Sequence, residues 1–161
     1  MKIGILMGSK SDYPVVERAE ALLDSFNVEY TTRIISAHRT PSVAEAFSKN
    51  AEKEGIEAII AAAGKAAHLA GVIAANTPLP VIGLPIKSST LDGLDSLLSV
   101  VQMPKGIPVA TVAIDGAENA ALLAVQILSV KYPKLREAFR AYKVNMEREI
   151  IQADLEFNQK K

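Results

Sequence analysis

Hydrophobic positions along the first 130 residues follow two alternating patterns. Short runs rich in apolar and β-branched residues predict strands at 2–7, 28–35, 58–63, 81–84 and 109–114. The run at 58–63 is all apolar, as in a parallel strand buried on both faces. Between the predicted strands, apolar residues recur every three or four positions, as on the core-facing side of a helix, at about 14–26, 41–55, 66–76, 91–101 and 117–128. In the second of these helices, Thr40 is the N-cap candidate, Pro41 takes the first helical position and Gly55 ends the helix.

Five strand–helix units predict one α/β domain, built on an open, doubly wound parallel sheet with helices on both faces. In this fold class, ligands bind in the crevice at the carboxyl ends of the strands. Candidate chemistry is therefore sought in the segments that follow each predicted strand.

The chain beyond Pro133 has a different pattern, a long apolar stripe on a charged background. The stripe comprises Leu135, Phe139, Tyr142, Met146 and Ile150. It predicts a helix of about 25 residues, roughly 38 Å long. Because such a helix is longer than the domain it leaves, we predict an arm that packs on a neighbouring subunit. The alternative is a helix that lies across its own domain.

Composition narrows the class of protein further. The 161 residues include no cysteine, and 18 basic residues balance 18 acidic ones. The first fact excludes disulfides, thiolate catalysis and cysteine-based zinc sites, and the second argues against a nucleic-acid partner. The apolar start is too short for a secretory signal, and no apolar run reaches the roughly 18 residues that span a bilayer. We therefore expect a soluble, cytoplasmic protein without a membrane partner.

The first strand is followed by a polar segment, 8–12, that begins with glycine. Ser9 and Ser11 offer hydroxyl donors near a helix N-terminus, where an anion is favoured. Asp12 could accept hydrogen bonds from ribose hydroxyls. The alternative is that Ser11 or Asp12 serves only as a helix cap. The spacing matches neither the ATP-binding nor the dinucleotide-binding glycine motif.

The second strand is followed by Ser36, Ala37, His38 and Arg39, the most informative segment of the chain. The planar guanidinium of arginine matches a phosphate group. Histidine changes its charge near neutral pH and can carry a proton. The pair therefore predicts phosphate binding beside a proton carrier, although a structural role for it is the alternative.

The third strand leads into Gly64, Lys65, Ala66, Ala67, His68 and Leu69. On its own, a histidine in such a small-residue segment is more often structural. Its place beside the segment of His38 favours a shared site instead. Two histidines without a third ligand rarely hold a metal. Lys65 could either neutralise a carboxylate or be solvated. Farther along, 85–93 is expected to cover the site and 102–108 to have a structural role or to contact a neighbour.

These segments resemble the motifs of one known family. They read MGSKSD, SAHRTP and AAHL after the first three strands, then LDGLDSLLSVVQMPKGIPVATVAID and NAALLAVQIL. Over residues 3–132 the chain resembles the bacterial-type, class I N5-carboxyaminoimidazole ribonucleotide mutases. The resemblance implies a flavodoxin-like, three-layer αβα fold and a homo-octamer with sites where subunits meet. It also implies no metal or organic cofactor, a catalytic domain over 1–132 and a C-terminal arm over 133–161 on a neighbouring subunit.

The resemblance further implies an isomerase of purine biosynthesis that acts on a nucleotide monophosphate. The carboxyl group of its substrate would move from the exocyclic nitrogen to C4 of the aminoimidazole ring. The 5′-phosphate would be held by Ser9, Ser11, Ser36 and Arg39, and the ribose by Asp12. His38 would be the proton shuttle, with His68 as a second catalytic residue. The remaining substrate-binding residues would be Ala37, Gly64, Lys65, Ala66 and Leu69.

The chain departs from the family's usual GAGGAAHLPG segment at three positions. Ala62 and Lys65 stand where the family has glycine, and Ala70 stands where it has proline. A related branch carboxylates aminoimidazole ribonucleotide directly with CO2 and has a basic residue at the position of Lys65, but it usually lacks the arginine and histidine found here at Arg39 and His68. Direct carboxylation therefore stays an alternative, as does a non-catalytic nucleotide-binding module. An electron-transfer flavoprotein is suggested by the fold class alone.

Overall fold

The computed structural model describes residues 1–159. Its strands are β1 (Lys2–Met7), β2 (Glu29–Ile34), β3 (Ala58–Gly64), β4 (Val81–Ile86) and β5 (Ala110–Thr111). Its helices are α1 (Tyr13–Ser25), α2 (Pro41–Asn50), α3 (Leu69–Ala74), α4 (Leu94–Val101), α5 (Ala117–Ser129) and α6 (Pro133–Gln159). Single 3₁₀ turns at Lys10–Asp12 and Leu91–Gly93 precede α1 and α4.

All five strands are parallel, in the order β2-β1-β3-β4-β5. This is the flavodoxin-like order, whose direction of winding reverses between β1 and β3. The predicted fold class is confirmed. The switch point places the segments after β1 and β3 side by side, and Gly8 N–H donates to the Ala62 carbonyl there (3.1 Å).

Two apolar clusters cover the two faces of the sheet, as a doubly wound fold requires. On one face, α1 and α5 pack over residues such as Ile3, Ile60 and Ile82. On the other, α2, α3 and α4 pack over residues such as Leu6, Ile59 and Ala61. The central strands β3 and β4 are buried on both faces, which explains their continuous apolar sequences.

Three predicted elements are shorter than expected. Strand β5 was predicted over 109–114 but has only two ladder residues, Ala110 and Thr111, which pair with Ile82 and Gly83 of β4. Helix α3 was predicted over 66–76 but begins at Leu69, because its N-cap residue His68 has non-helical backbone (φ −79°, ψ +43°). Helix α2 ends at Asn50, and turns continue to Gly55, which ends them with φ +77°.

The long terminal helix divides its apolar stripe between two environments. Leu135 is buried against the domain, and the rings of Phe139 and Tyr142 pack at a tilt against Phe26, with ring centroids 6.4 and 5.6 Å away. Ile150, by contrast, is 73% exposed. The first half of α6 therefore lies on its own domain, as the alternative proposed, while the second half projects from it. Among residues 1–159, no helix is both long and apolar enough to cross a membrane.

Candidate active site

A cavity of about 540 Å³ lies at the carboxyl ends of β1 to β4, across the switch point of the sheet. Its lining includes ten of the predicted site residues: Ser9, Ser11, Asp12, Ser36, Ala37, His38, Arg39, Gly64, Lys65 and Leu69. Ala66 and His68 do not line it. The residues that lie far apart in the sequence are thus brought together where the fold class predicts a ligand.

The segment after β1 is held by a reciprocal pair of hydrogen bonds. The hydroxyl of Ser9 accepts from Ser11 N–H (3.3 Å), and the Asp12 carboxylate accepts from Ser9 N–H (3.1 Å). This is a capping box around the 3₁₀ turn. Asp12 stands at the N-cap position of α1 but makes no side-chain cap bond to that helix, and the residue that caps the 3₁₀ turn is Ser9. The same bonds fix both serine hydroxyls at the cavity wall, since Ser11 also donates to Ser9 Oγ (2.9 Å).

Asp12 is the buried carboxylate of the cavity, with 7% of its surface exposed. Burial raises the pKa of its carboxyl group above the ordinary value. Hydrogen bonds from Ser9 and Ser11 and the charge of Arg39 act in the opposite direction and offset part of this rise. A ligand whose hydroxyl groups donated hydrogen bonds to Asp12 would stabilise the charged carboxylate, which its surroundings stabilise only in part.

The segment after β2 presents Arg39 to the cavity. Its Nε–H donates to Ser36 Oγ (3.3 Å) and its Nη2 donates to the Gly8 carbonyl (2.6 Å). These bonds orient the guanidinium across the end of β1 and use two of its five N–H donors, leaving three for an anion. Thr40 occupies the N-cap position of α2, but its hydroxyl bonds to the backbone of Ser36 rather than to the helix.

His38 lies between these anion-binding groups and the segment after β3. Its side chain is exposed, lines the cavity and has no hydrogen-bond partner among residues 1–159. Both ring nitrogens are therefore available to a ligand, which is the condition for a residue that accepts a proton and returns it.

His68 is held away from the cavity. Its Nδ1 lies 2.6 Å from the Ser99 carbonyl in α4, and because a carbonyl only accepts, Nδ1 must carry the proton. The ring occupies the space above Gly71, where an added Cβ would lie 1.9 Å from Nε2. In this chain the ring joins α3 to α4, as expected of a structural histidine.

Six further residues line the cavity and were not predicted as site residues: Gly8, Ala63, Ala67, Ile86, Lys87 and Ser88. Lys87 and Ser88 belong to the segment expected to cover the site. A basic residue directly after the fourth strand was the available signal, but a lysine in a loop is usually solvated. Among residues 1–159, no group of three or more potential ligands could hold a metal ion.

The fold and the cavity define a flavodoxin-like α/β protein with a polar cavity, lined by arginine, lysine and serine side chains, at its topological switch point. The family model described as AIR carboxylase matches residues 2–149. The chain belongs to the AIR carboxylase family, which confirms the family predicted from its motifs.

Three relatives illustrate the similarity. A Pyrococcus abyssi protein named N5-carboxyaminoimidazole ribonucleotide mutase is 60% identical over 147 residues, which cover 91% of this chain and 84% of the relative. A Candida albicans protein named phosphoribosylaminoimidazole carboxylase is 53% identical over 92% of this chain but only 26% of its own length. The crystal structure of Treponema denticola PurE superimposes with a TM-score of 0.85 at 31% identity, over 95% of this chain and 96% of that one.

Proposed function

We propose that this chain is an isomerase that converts N5-carboxyaminoimidazole ribonucleotide to 4-carboxy-5-aminoimidazole ribonucleotide in purine biosynthesis. The observation that carries the proposal is the cavity itself. It places an exposed, unbonded His38 beside an arginine and serine hydroxyls suited to a phosphate. The membership of the AIR carboxylase family supports the substrate class.

In this proposal the 5′-phosphate occupies the end of the cavity near β1 and β2. Ser9, Ser11 and Ser36 donate through their hydroxyl groups, and Arg39 contributes its three remaining N–H donors. The buried Asp12 accepts from the ribose hydroxyls. These contacts place the aminoimidazole ring toward His38 and the segment after β3.

The reaction then moves one carboxyl group and one proton. The bond between the exocyclic nitrogen and the carboxyl carbon breaks, and a bond from that carbon to C4 of the ring forms. C4 then carries both a hydrogen and the new carboxylate. Neutral His38 accepts the C4 proton and returns it to the exocyclic nitrogen, so the protons balance and His38 ends the cycle neutral.

The segment after β3 bounds the region in which the carboxyl group moves. Gly64, Leu69 and Ala37 form small or apolar walls, and Lys65 adds a positive charge. Ala66 and His68 act from outside the cavity. We propose that His68, expected from the resemblance to be catalytic, is a positioning residue that fixes this segment through its bond to Ser99.

Direct carboxylation of aminoimidazole ribonucleotide is the second candidate. Lys65 and the carboxylase name of the Candida albicans relative favour it. Both candidates are tested by supplying freshly made N5-carboxyaminoimidazole ribonucleotide with and without added bicarbonate. Turnover without bicarbonate supports the isomerase, and turnover only of aminoimidazole ribonucleotide with bicarbonate supports the carboxylase. If neither reaction occurred, a non-catalytic nucleotide-binding module would be left as the function.

We further propose a homo-octamer that works in the cytoplasm without a metal or organic cofactor. Two exposed apolar surfaces support an assembly. One is the stripe of α4 that contains Leu94, Leu98 and Val101, each 46–47% exposed. The other is the second half of α6, which we propose packs on a neighbouring subunit as the arm of a 1–132 catalytic domain.

A truncation tests the arm while keeping the part of α6 that packs on its own domain. Removing residues 144–161 leaves Leu135, Phe139 and Tyr142 in place. We expect a smaller oligomer by light scattering, with unchanged sheet content and a loss of helical content no larger than that of the deleted part of α6. An oligomer of unchanged mass would contradict the arm.

A further inference from the structure

Lys87 is a charged residue of the cavity that neither phosphate binding nor proton transfer uses. It lies one residue beyond β4, and its neighbours Ile86 and Ser88 line the same cavity. The described lining has three cationic side chains, Arg39, Lys65 and Lys87, and one carboxylate, Asp12. The lining therefore has a net positive charge, opposite in sign to a ribotide with a carboxylate at its other end, whose phosphate carries up to about two negative charges and whose carboxylate carries one.

The three cationic side chains are divided between two sides of the cavity. Arg39 follows β2, whereas Lys65 follows β3 and Lys87 follows β4. Neighbouring strands lie about 4.8 Å apart, and Arg39 Nη2 reaches the Gly8 carbonyl at the end of β1. The ends of β1 and β4 are two strand spacings apart, about 10 Å, so Lys87 borders the cavity on the side opposite the Arg39 guanidinium and faces the other end of a ligand whose phosphate Arg39 binds.

The backbone of Lys87 is fixed by the segment after β5. Its N–H donates to Asp115 Oδ1 (2.8 Å), and the Asp115 carbonyl accepts from Arg18 in α1 (2.7 Å). Because its N–H is occupied, the ammonium group is the donor that Lys87 can offer to a ligand.

The ammonium group has one charged partner in the structure. Lys87 Nζ lies 3.4 Å from Asp92 Oδ1, and the two side chains are 59% and 88% exposed. Ion pairs this exposed contribute little stability. The pair therefore keeps Lys87 near the mouth of the cavity but costs little to exchange for a carboxylate inside it.

We propose that Lys87 binds the migrating carboxyl group of substrate and product, and that Asp92 holds its ammonium group when no ligand is bound. This inference rests on the proposed function. It makes Lys87 a specificity-determining residue that distinguishes carboxylated ribotides from aminoimidazole ribonucleotide, which has the phosphate but no carboxylate.

The test compares the dissociation constants of two ligands by calorimetry. One is the product, 4-carboxy-5-aminoimidazole ribonucleotide, and the other is aminoimidazole ribonucleotide. For Lys87→Gln we expect product binding to weaken about tenfold, the effect of losing one charge-assisted hydrogen bond, with binding of aminoimidazole ribonucleotide unchanged. Lys87→Arg should restore part of the loss. Lys53→Gln, an exposed lysine away from the cavity, is the matched control and should change neither constant.

Arg39→Ala separates the two ends of the cavity, because it should weaken both ligands by similar factors of about ten to a hundred. Equal weakening of both ligands by Lys87→Gln, or no weakening of either, would overturn the role of Lys87. If the wild-type protein bound neither ligand, the proposed function itself would be wrong. That outcome differs from a wild-type protein that binds both ligands but is insensitive at Lys87.

Discussion

The two ends of the parallel strands, here called the carboxyl edge and the amino edge of the sheet, hold carboxylates in opposite ways: Asp12 is buried at the carboxyl edge, and Glu57 is half-buried at the amino edge. At the carboxyl edge, burial raises the pKa of Asp12, and its partners only partly compensate. At the amino edge, burial also acts to raise the pKa of Glu57, but hydrogen bonds from Lys131 and Tyr132 and the charge of the Met1 amino group lower it overall. Tyr132 Oη lies 2.8 and 3.0 Å from the two carboxylate oxygens of Glu57. At the carboxyl edge, Asp12 has fewer hydrogen-bond donors than its burial requires. At the amino edge, the partners of Glu57 outweigh the effect of its burial.

The carboxyl and amino edges also differ in the number of residues with strained, left-handed backbone. Five non-glycine residues of the described chain have positive φ, and four of them follow β3, β4 or β5: Lys65, Leu91, Asp92 and Asp115. The fifth, Asn27, precedes β2 at the amino edge, and asparagine tolerates this conformation better than most residues. Left-handed backbone costs about 1–2 kcal/mol per residue. Backbone strain is thus concentrated at the ends of the strands where the ligand is proposed to bind, and Lys65 brings it into the lining of the cavity itself.

The largest expected effect comes from His38→Asn at the carboxyl edge. We expect the kcat for carboxyl migration to fall by about 10²–10⁴-fold, the usual contribution of general acid–base catalysis. The midpoint of urea unfolding should stay unchanged, because the His38 ring is exposed and has no bond to lose.

His68→Asn is the matched control, the same change at the other histidine. It should lower the free energy of unfolding by about 1 kcal/mol, since it disturbs the bond to Ser99. Near-normal turnover by His38→Asn would remove that residue from proton transfer. A larger loss of kcat in the His68 variant would exchange the roles of the two histidines.

At the amino edge, Tyr132→Phe should affect stability and not activity. Loss of the hydroxyl that donates to Glu57 should lower the free energy of unfolding by about 1 kcal/mol. Tyr142→Phe is the control. The Tyr142 ring packs against Phe26, but its hydroxyl has no hydrogen bond to residues 1–159. A fall in the kcat/KM of the folded Tyr132 variant would contradict the separation of the two edges.

Lys65→Gly tests whether the carboxyl edge stores strain. The change relieves left-handed strain of about 1–2 kcal/mol and costs about 0.5–1 kcal/mol of chain entropy. We therefore expect the free energy of unfolding to rise by up to about 1 kcal/mol. Lys65→Ala removes the same side chain but keeps the strained conformation, so it should show no such rise in chemical denaturation. Equal stability of the two variants would show that the backbone at Lys65 is not strained.

The smallest effect is a pH dependence that belongs to Asp12. Because its pKa is raised in the folded state, the folded protein binds more protons than the unfolded chain between the ordinary value of 3.8 and the raised one. The contribution of Asp12 to stability is therefore present at lower pH and is lost as the pH rises through that window. Asp12→Asn should lack this component in urea unfolding measured from acidic to neutral pH. A wild-type stability that rose relative to the variant over the same range would reverse the sign and contradict the account.

Much of the fold could be predicted because parallel strands leave a strong signal. The apolar runs of β3 and β4 are buried on both faces, and the cavity follows from the rule that ligands bind at carboxyl ends. The division of α6 could not be predicted, since Leu135 and Ile150 belong to the same periodic stripe. A hydrophobic pattern indicates that one face of a helix is covered, but it does not show whether the same domain or another subunit covers it.

The site was harder to predict where it depends on side-chain direction. His38 and His68 both follow strands, and only the structure separates the exposed ring from the one bonded to Ser99. Gly71, three residues after His68 on the same helical face, was the one available signal, because a glycine there makes room for the ring. Lys87 was missed because its contact with the cavity depends on the bond from its backbone to Asp115, 28 residues away.

The central claim is that the carboxyl edge retains and moves one carboxyl group. The most direct measurement supplies N5-carboxyaminoimidazole ribonucleotide with ¹³C in its carbamate carbon to the protein in unlabelled bicarbonate, and follows the product by NMR. We predict that the label is retained at the carboxylate on C4. A product that formed with unlabelled carboxylate would mean that the carboxyl group comes from solution, and would assign the cavity to direct carboxylation.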